Sequence, residues 1–329
     1  MNMDEKFRIA IVGCGGMGSG HAVALKSGTG ETVYMGNVSD AKMPDSAMTT
    51  RLGNLIELAG ITDIDPLRME WAVSQGISVY SSYEEMLADK SVDAILIATP
   101  NHLHKSMAIA ALQAGKHVLC EKPVMLSSAD LLEVMEEAEK ANRVFYPRQN
   151  REWDEDFLII RKIYEEELLG KTFEIRCRIM GARGIPGDWR SKREFGGGML
   201  YDWGVHIIDR IVKLVGKAPE RVFCDLKYIT NAECDDNVFV YLTFEGGLTV
   251  RLEVDTCHFV RLPLWNLFAD HGSAEIYSWN CDGKMMRLST WTDKDTQPIV
   301  AGSGLTKTMA PRTKDTMIEA PLPRFDFDR

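Results

Sequence analysis

The sequence lacks a long apolar run, an excess of positive charge and any paired cysteines. No stretch reaches the ~18 apolar residues that a membrane-spanning helix needs, and the N-terminus shows no signal-peptide cleavage pattern. The 48 Asp and Glu residues outnumber the 38 Lys and Arg residues, for a formal net charge of -10, which offers no electrostatic footprint for nucleic acid or an anionic membrane. We therefore expect a cytoplasmic protein without nucleic-acid or membrane partners.

The seven cysteines stand singly along the chain, without a C-x-x-C pair. This spacing is typical of neither a disulfide framework nor a redox or metal-binding pair. The seven histidines form no cluster with the spacing of metal ligands. We therefore expect reduced thiols and no metal site.

The length of 329 residues suggests two domains, at roughly 150 residues per domain. In the first half, apolar runs of strand length alternate with helical patterns, which predicts a doubly wound parallel Rossmann sheet over residues 1–148. Runs at 238–244 and 248–254 are joined by Glu245-Gly246-Gly247 without a helix, which indicates a hairpin. We expect residues 149–329 to form an α+β domain with a large, mainly antiparallel open sheet. Further strands are predicted at 7–12, 55–62, 94–99, 117–120 and 172–180, and helices at 66–75, 103–114, 127–141, 155–169 and 199–215.

A glycine-rich motif follows the first predicted strand. Gly13, Gly15 and Gly18 form a G-x-G-x-x-G pattern that opens a helix, with Gly16 and Met17 inside it. The first glycine permits a tight turn, the second lets a pyrophosphate approach the backbone, and the third packs helix against strand. The helix N-terminus adds N–H donors for phosphate. The alternative is a glycine-rich turn without a ligand, but the strand and helix around the motif favour a dinucleotide site.

A dinucleotide site also needs an acid, about 20 residues further on, for the ribose hydroxyls. The candidate is Asp63, 45 positions after Gly18, so we assign the excess to an insertion over residues 31–54. We expect this insertion at the sheet edge away from the cofactor, where it affects surface or subunit contacts. Asp63 without an adjacent Arg favours NAD over NADP, because a 2′-phosphate would meet a like charge. Asp65 is the competing choice, and it could instead cap the helix at Pro66.

Two polar motifs follow neighbouring strands, on the side where the cofactor crevice opens. A lysine at this place can hydrogen-bond a substrate hydroxyl and stabilise developing alkoxide charge. A solvated turn residue before a proline is the alternative for this lysine. The candidate residues of the two motifs are Thr99, Pro100, Asn101, His104, Glu121 and Lys122.

A third cluster combines a carboxylate with an imidazole. Asp202 and His206 follow a run of three glycines and are spaced i and i+4, so a helix would place them on one face. Such a histidine can take a hydroxyl proton while hydride leaves the same carbon. An ordinary ion pair on a helix surface is the alternative interpretation.

The order of these motifs resembles the Gfo/Idh/MocA family of glucose–fructose oxidoreductase, inositol dehydrogenase and relatives. The matching segments are IVGCGGMGSGH, ITDIDP, AILIATPNHLHKSMAIAALQAGKHVLCEKP and DWRSKREFGGGMLYDWGVHIIDR. The resemblance implies an N-terminal Rossmann domain, a nicotinamide cofactor and a sugar, cyclitol or similar polyol as substrate. It also implies a C-terminal domain whose open sheet builds homodimers or homotetramers.

The resemblance also implies roles for individual residues. Lys122 matches the catalytic lysine of the family, His206 its base, and Asp202 the acid that works with them. The residues assigned to the substrate are Lys122, Asn150, Arg151, Trp189, Arg190, Asp202 and His206, and those assigned to NAD are Gly13, Gly15, Gly16, Met17, Gly18, Asp63, Thr99, Pro100, Asn101, His104, Glu121 and Lys122.

The sequence leaves three functions open. The first is a dehydrogenase of sugars or polyols, the second a glycosidase that oxidises its substrate transiently and returns the hydride, and the third a sensor without catalysis. The sequence also departs from the family pattern in two places. One is the insertion, and the other is an end at Pro321–Arg329, where relatives often continue. We expect residues 301–323 to form a long excursion or a loosely held tail, and the substrate domain to be shortened at its C-terminus.

Overall fold

The computed structural model describes most of the chain. The described residues are 6–27, 55–290, 299–303, 305–307, 312 and 316–325. The insertion predicted at 31–54 therefore lies outside the described residues. Within the described part, no helix has the length and hydropathy that crossing a membrane requires, and no group of three or more His, Cys, Asp or Glu side chains is arranged to hold a metal ion.

The chain folds into two compact units. The first contains Met1–Gln149, Ile185–Val205 and Asp326–Arg329, and the second contains Asn150–Gly184 and His206–Phe325. The chain thus returns to the first unit after it has entered the second. The segment 185–205, far beyond the sequence-based boundary near residue 148, consequently belongs with the residues of the first sheet.

The first unit contains the strands and helices of a Rossmann domain. Its elements are β1 (Phe7–Val12), α1 (Gly16–Ser27), β2 (Ile56–Thr62), α2 (Pro66–Ser74), α3 (Tyr83–Ala88), β3 (Ala94–Ile97), α4 (His104–Gln113), β4 (His117–Cys120), α5 (Ser128–Ala141) and β5 (Phe145–Pro147). The five strands are parallel, in the order β2-β1-β3-β4-β5. This sheet confirms the doubly wound fold that the alternating pattern predicted.

The sheet register brings the loops after three strands to one edge. Val12 at the end of β1 pairs with Ile97 of β3, and Ile97 pairs with Cys120 of β4. The strand order reverses between β1 and β3, which is where a ligand crevice opens in sheets of this type. The glycine motif and both polar motifs therefore emerge side by side.

Local signals explain where the helices of this unit begin. The Ser127 hydroxyl accepts a hydrogen bond from the Asp130 N–H at 3.1 Å, which makes it the N-cap of α5, a helix predicted at 127–141. Helix α3 was not among the predicted elements, and it begins after Ser82, whose hydroxyl accepts from the Glu85 N–H. Because α3 has only six residues, it is too short to show a clear hydrophobic period.

The second unit is built on an eight-stranded sheet. Its elements are α6 (Glu155–Glu165), β6 (Thr172–Met180), α7 (Val205–Val215, from its second residue), β7 (Arg221–Lys227), β8 (Asn237–Thr243), β9 (Thr249–Asp255), β10 (Trp265–Ala269), β11 (Gly272–Ile276), β12 (Gly283–Leu288), β13 (Ile299–Ala301), β14 (Leu305–Lys307) and β15 (Met317–Ala320). The sheet order is β15-β12-β11-β10-β6-β9-β8-β7, and the neighbours are antiparallel except β6 and β9. The predicted antiparallel sheet and its hairpin between β8 and β9 are confirmed.

At Met317–Ala320, the C-terminal stretch corrects the expectation of a long excursion or a loosely held tail over residues 301–323. Met317–Ala320 pairs with β12 as the edge strand of the large sheet, and β13 pairs with β14 in a separate hairpin. The prediction was wrong at Met317–Ala320 because an edge segment of four residues is too short to show a hydrophobic period. The hydrogen-bonding edge of β12 supplies the partner that local sequence does not reveal.

A buried ion network joins α6, α7 and β10. Arg210 is 1% exposed, and its guanidinium lies 3.2 Å from the Asp156 carboxylate and 2.5 Å from that of Asp154. The Trp265 indole N–H donates to the same Asp156 oxygen at 2.7 Å. Burial raises the pKa of Asp154, against the opposing effect of the Arg210 and Arg151 charges. The arginine therefore compensates the buried carboxylate of Asp156 and the partly exposed carboxylate of Asp154.

Replacing this arginine should destabilise the protein strongly. We expect Arg210→Leu to lower the free energy of unfolding by about 3–5 kcal/mol, because it removes the arginine that pairs with the buried Asp156 carboxylate. The matched control is Lys213→Leu on the same helix, whose side chain is 44% exposed and pairs with Glu152 and Asp209; it should cost at most about 1 kcal/mol. Urea unfolding measures both, and equal effects would contradict the network's structural role.

Candidate cofactor and active site

Two glycines of the motif lie against neighbouring backbone, and two others face open space. Gly13 has φ +96°, and a Cβ there would lie 2.6 Å from the Ala98 carbonyl oxygen; a Cβ on Gly18 would lie 1.8 Å from the Gly13 oxygen. A Cβ on Gly15 would meet nothing closer than 3.8 Å, and one on Gly16 nothing within 4 Å. The first and third glycines thus permit the turn and the helix packing, while the second leaves backbone open at the start of α1, where a pyrophosphate fits.

Asp63, the predicted ribose ligand, is tied to this loop. Its carboxylate accepts from the Cys14 N–H at 2.6 Å and from the Asp65 N–H at 2.9 Å, and its side chain is 5% exposed. Burial, followed by the Asp63 charge, raises the pKa of the Cys14 thiol to about 11. The acid therefore lies beside the glycine backbone, and its role as a ribose ligand stays a prediction.

The expectation that Asp63 has no adjacent arginine is wrong. The Arg68 guanidinium lies 3.3 Å from the Asp63 carboxylate and 3.5 Å from that of Asp65. Asp65 is the N-cap of α2 and accepts from the Leu67 N–H at 3.0 Å, which confirms its capping role. Because the first turn of α2 follows directly, it carries Arg68 back over the two carboxylates, a proximity that sequence distance does not show.

Two of the crevice residues join loops to one another. His104 is fully buried, with Nδ1 2.9 Å from the Pro123 carbonyl oxygen and Nε2 3.0 Å from that of Thr99. Burial lowers its pKa, and the contacts with the two carbonyls oppose this shift. Asn101 is also buried and donates from Nδ2 to the Gly196 oxygen at 2.7 Å. Their side chains support the crevice loops from within the protein.

Glu121 lies in a buried ion network of the first unit. Its Oε1 is 2.7 Å from His21 Nε2 in α1 and 3.0 Å from Arg148 Nη1. Burial raises the pKa of Glu121, but the hydrogen bond to His21 and the Arg148 charge outweigh it and hold the pKa below its usual value. The glutamate thus anchors the loop that carries Lys122 to the helix that begins at the glycine motif.

Lys122 meets Asp202 across 80 positions of sequence. Its ammonium donates to the Asp202 carboxylate and to the Asp202 backbone oxygen, both at 2.7 Å. The Arg190 guanidinium lies 3.5 Å from the other carboxylate oxygen. Burial raises the pKa of Asp202, but the Lys122 and Arg190 charges outweigh it, so the group is a carboxylate. Three of the predicted residues are therefore brought together.

The Arg190 side chain, which contacts Asp202, is itself held by two neighbouring residues. The carboxylate of Asp188 accepts from the Arg190 N–H at 2.9 Å and from its guanidinium at 2.7 Å. The guanidinium also stacks over the ring of Trp189, 4.5 Å from its centroid. Asp202 itself lies in a π-helical turn, Leu200–Gly204, and not in the regular α-helix that the i and i+4 spacing assumed. Local π-helical turns are frequent at functional sites.

The remaining predicted residues belong to the second unit. Asn150 and Arg151 lie in a 3₁₀ turn, and the Arg151 guanidinium lies 2.9 Å from Asp154 and 4.8 Å from the ring centroid of Trp279. His206 is buried, at 4% exposure, in the first turn of α7. Trp279 was not singled out as a site residue, since isolated tryptophans are by default packing residues.

Both units match known families. Residues 7–149 match a model described as an oxidoreductase family with an NAD-binding Rossmann fold, and residues 157–275 match the GFO/IDH/MocA C-terminal domain. The chain belongs to the Gfo/Idh/MocA family. Its first unit is an NAD-binding Rossmann domain, and the open glycine backbone with an acid beside it fits that cofactor.

Individual relatives agree with this membership. The solved structure of an NAD-binding protein from Listeria innocua is 38% identical and matches 97% of this chain and 82% of that one, with a TM-score of 0.80. A myo-inositol 2-dehydrogenase of Thermotoga maritima is 27% identical over 73% of this chain and 66% of the relative. A scyllo-inositol 2-dehydrogenase (NADP(+)) of Bacillus subtilis is 31% identical over 51% of this chain and 47% of the relative. The chain spans about half the length of the curated relatives it matches.

Substitutions at the glycines should separate cofactor binding from folding. We expect Gly15→Ala to weaken NADH binding by about tenfold or more with little change in stability, because the new methyl group enters space that the pyrophosphate needs. Gly18→Ala should instead lower the free energy of unfolding by about 1–3 kcal/mol or more, because its Cβ would overlap the Gly13 carbonyl. Calorimetric titration and thermal unfolding test this, with Gly181→Ala as the control, because Gly181 lies outside the glycine motif and a Cβ there would meet nothing closer than 3.9 Å. The assignment fails if Gly15→Ala binds NADH like the parent.

The Glu121 network should depend on pH in a defined direction. A carboxylate with a lowered folded-state pKa contributes stability above its unfolded pKa of about 4.3, and this stability is lost as pH falls through the lower folded value. Glu121→Gln should therefore destabilise the protein clearly at neutral pH and less in acid. Urea unfolding at both pH values measures the difference, and a pH-independent effect would contradict the charge assignment.

Proposed function

We propose that this protein is an NAD-dependent dehydrogenase that transfers a hydride between a hydroxyl-bearing carbon of a sugar, cyclitol or related polyol and nicotinamide. The observation that carries the proposal is the Lys122–Asp202–Arg190 cluster in an NAD-binding unit. Bound NAD would supply the hydride acceptor at nicotinamide C4. The residues of the chain would bind the substrate oxygen and move its proton.

Lys122 would hold the substrate hydroxyl. An ammonium group has three N–H donors, and the structure gives two of them acceptors on Asp202. The third can donate to a substrate oxygen and stabilise the negative charge that develops on it. Asp202 would act by orienting this ammonium, because its carboxylate and its carbonyl fix Lys122 from two directions.

His206 would take the hydroxyl proton. Imidazole changes its protonation near neutral pH, which suits a general base for alcohol oxidation. The hydroxyl proton would pass to the imidazole, the carbon-bound hydrogen would leave as hydride to nicotinamide, and the substrate would become a ketone. The substrate would thus lose one proton and one hydride, which together account for its two-electron oxidation.

The charge of the cluster supports an uncharged substrate. Lys122 and Arg190 supply two positive charges, and Asp202 and Asp188 supply two negative charges. The formal charge is therefore zero, and the cluster retains no surplus cation for a carboxylate or phosphate on the substrate. Polyols suit this balance, and two relatives bear the names of inositol dehydrogenases.

We also infer a homodimer or homotetramer formed through the open face of the large sheet. On this face, Phe223 of β7 is 60% exposed and its ring centroid lies 6.4 Å from that of Phe239 in β8. Exposed aromatic side chains of this kind are enriched at subunit contacts.

Substitution of the two proposed acid/base residues tests the function. We expect Lys122→Ala and His206→Ala each to lower kcat by about 10²-fold or more, because each removes a proton-handling or charge-stabilising group, while the Kd for NADH changes little. NADH formation is measured with a panel of inositols and sugars, beside product analysis that detects turnover without net NADH. Lys105→Ala, at a lysine paired with Asp130 on the same unit, is the control. Wild-type turnover in either variant, on a substrate of the parent, would overturn the role assignment.

A further inference from the structure

Two largely buried carboxylates act on Lys122. Asp202 accepts from the Lys122 ammonium at 2.7 Å, and Glu121, the preceding residue, has an oxygen 3.4 Å from the Lys122 backbone nitrogen. Burial raises the pKa of Glu121, and the hydrogen bond to His21 lowers it. The charges of Arg148 and Lys122 lower this pKa as well. The lysine charge is therefore attracted by both acids, although its ammonium is bound to Asp202.

Each of the two carboxylates has an arginine of its own. The Arg148 guanidinium lies 3.0 Å from Glu121 Oε1, and the Arg190 guanidinium lies 3.5 Å from the Asp202 carboxylate. Arg148 follows β5 directly, and its backbone N–H donates to the Cys120 carbonyl at the end of β4, at 2.8 Å. Its side chain is only 19% exposed. The pairing of two strands thus holds this guanidinium against Glu121.

The loss of Arg148 would leave Glu121 with too little compensation. Its ion-pair contact would then be the one with His21 Nε2, at 2.7 Å, in a side chain that is 6% exposed. A buried carboxylate without a cationic partner is costly. Lys122 carries a permanent charge on a flexible four-carbon stem, so its ammonium can move to a new partner. Glu121 would therefore compete with Asp202 for the same lysine.

We propose that Arg148 is a positioning residue that neutralises Glu121 and thereby keeps the Lys122 ammonium on Asp202. The inference rests on the proposed function, in which this ammonium holds the substrate hydroxyl. Arg148 acts through Glu121, and its role requires no contact with substrate or NAD. An ammonium drawn toward Glu121 presents its free N–H donor at the wrong place, and a misplacement of about 1 Å can lower a rate about 10²-fold.

The kinetics of Arg148→Gln and of the double variant Arg148→Gln/Glu121→Gln test the proposal. We expect Arg148→Gln to lower kcat by about 30- to 100-fold, while the Kd for NADH changes less than about threefold. The double variant should return kcat to within about fivefold of the parent, because the competing carboxylate is gone. A structural role alone predicts the opposite, a double variant at least as impaired as Arg148→Gln.

Two further variants show whether the charge of Arg148 is what matters. Arg148→Lys keeps the charge beside Glu121 and should retain kcat within about threefold of the parent. Arg143→Gln is the matched control, since its guanidinium contacts the Gly115 carbonyl, and it should leave kcat unchanged. Thermal unfolding of every variant identifies a loss of kcat that comes from a loss of the fold. Should Arg148→Gln fail to fold, the double variant decides, because a kcat more than about tenfold below the parent overturns the proposal.

A crystal structure of Arg148→Gln locates the ammonium without reference to turnover. We expect Lys122 Nζ within hydrogen-bond distance of the Glu121 carboxylate, and an ammonium that stays on Asp202 overturns the inference. An unchanged kcat in Arg148→Gln overturns it as well. If the parent oxidises no sugar or polyol of the panel, the proposed function fails, and the position of Lys122 in the variant still decides whether Arg148 places the ammonium.

Discussion

The Lys122 ammonium lies 2.7 Å from a carboxylate that is 80 positions away in the chain. This ion pair joins the loop after β4 to the segment 185–205, which the chain reaches only after it has left the first unit and returned to it. Both charges are mostly withdrawn from solvent, at 18% and 15% exposure, and removing one partner would leave the other charge largely buried without this contact. The candidate chemistry depends on this pair, because it orients the only donor offered to a substrate oxygen in the proposed mechanism.

The surroundings of the pair show why the loops can hold it. Glu121, next to Lys122 in sequence, is anchored to α1 and to Arg148. His104 links the carbonyls of Thr99 and Pro123, and Asn101 holds the backbone at Gly196. These buried side chains tie the loops to one another and to α1, and rigid support of this kind positions functional groups to within a fraction of an ångström.

Sequence patterns predicted the framework well where the signal is local. Strand β6 was predicted over the residues that the structure assigns to it, and Ser127 was identified as the start of α5. The predictions were wrong where a partner distant in sequence decides the outcome. The edge strand at Met317–Ala320 exists through its pairing with β12, and Arg68 was overlooked because a helical turn brings it back to Asp63.

The sequence by itself determined the strand–glycine–helix motif, the alternation of parallel strands and the family, because these depend on short-range spacing and steric rules for glycine. Only the tertiary structure decided which charges meet. It paired Lys122 with Asp202 and buried His104 between two carbonyl oxygens. It also placed the Arg68 guanidinium beside Asp63. Electrostatic interactions act over a few ångströms in space regardless of separation along the chain, so their partners become known when the strands and loops have been folded together.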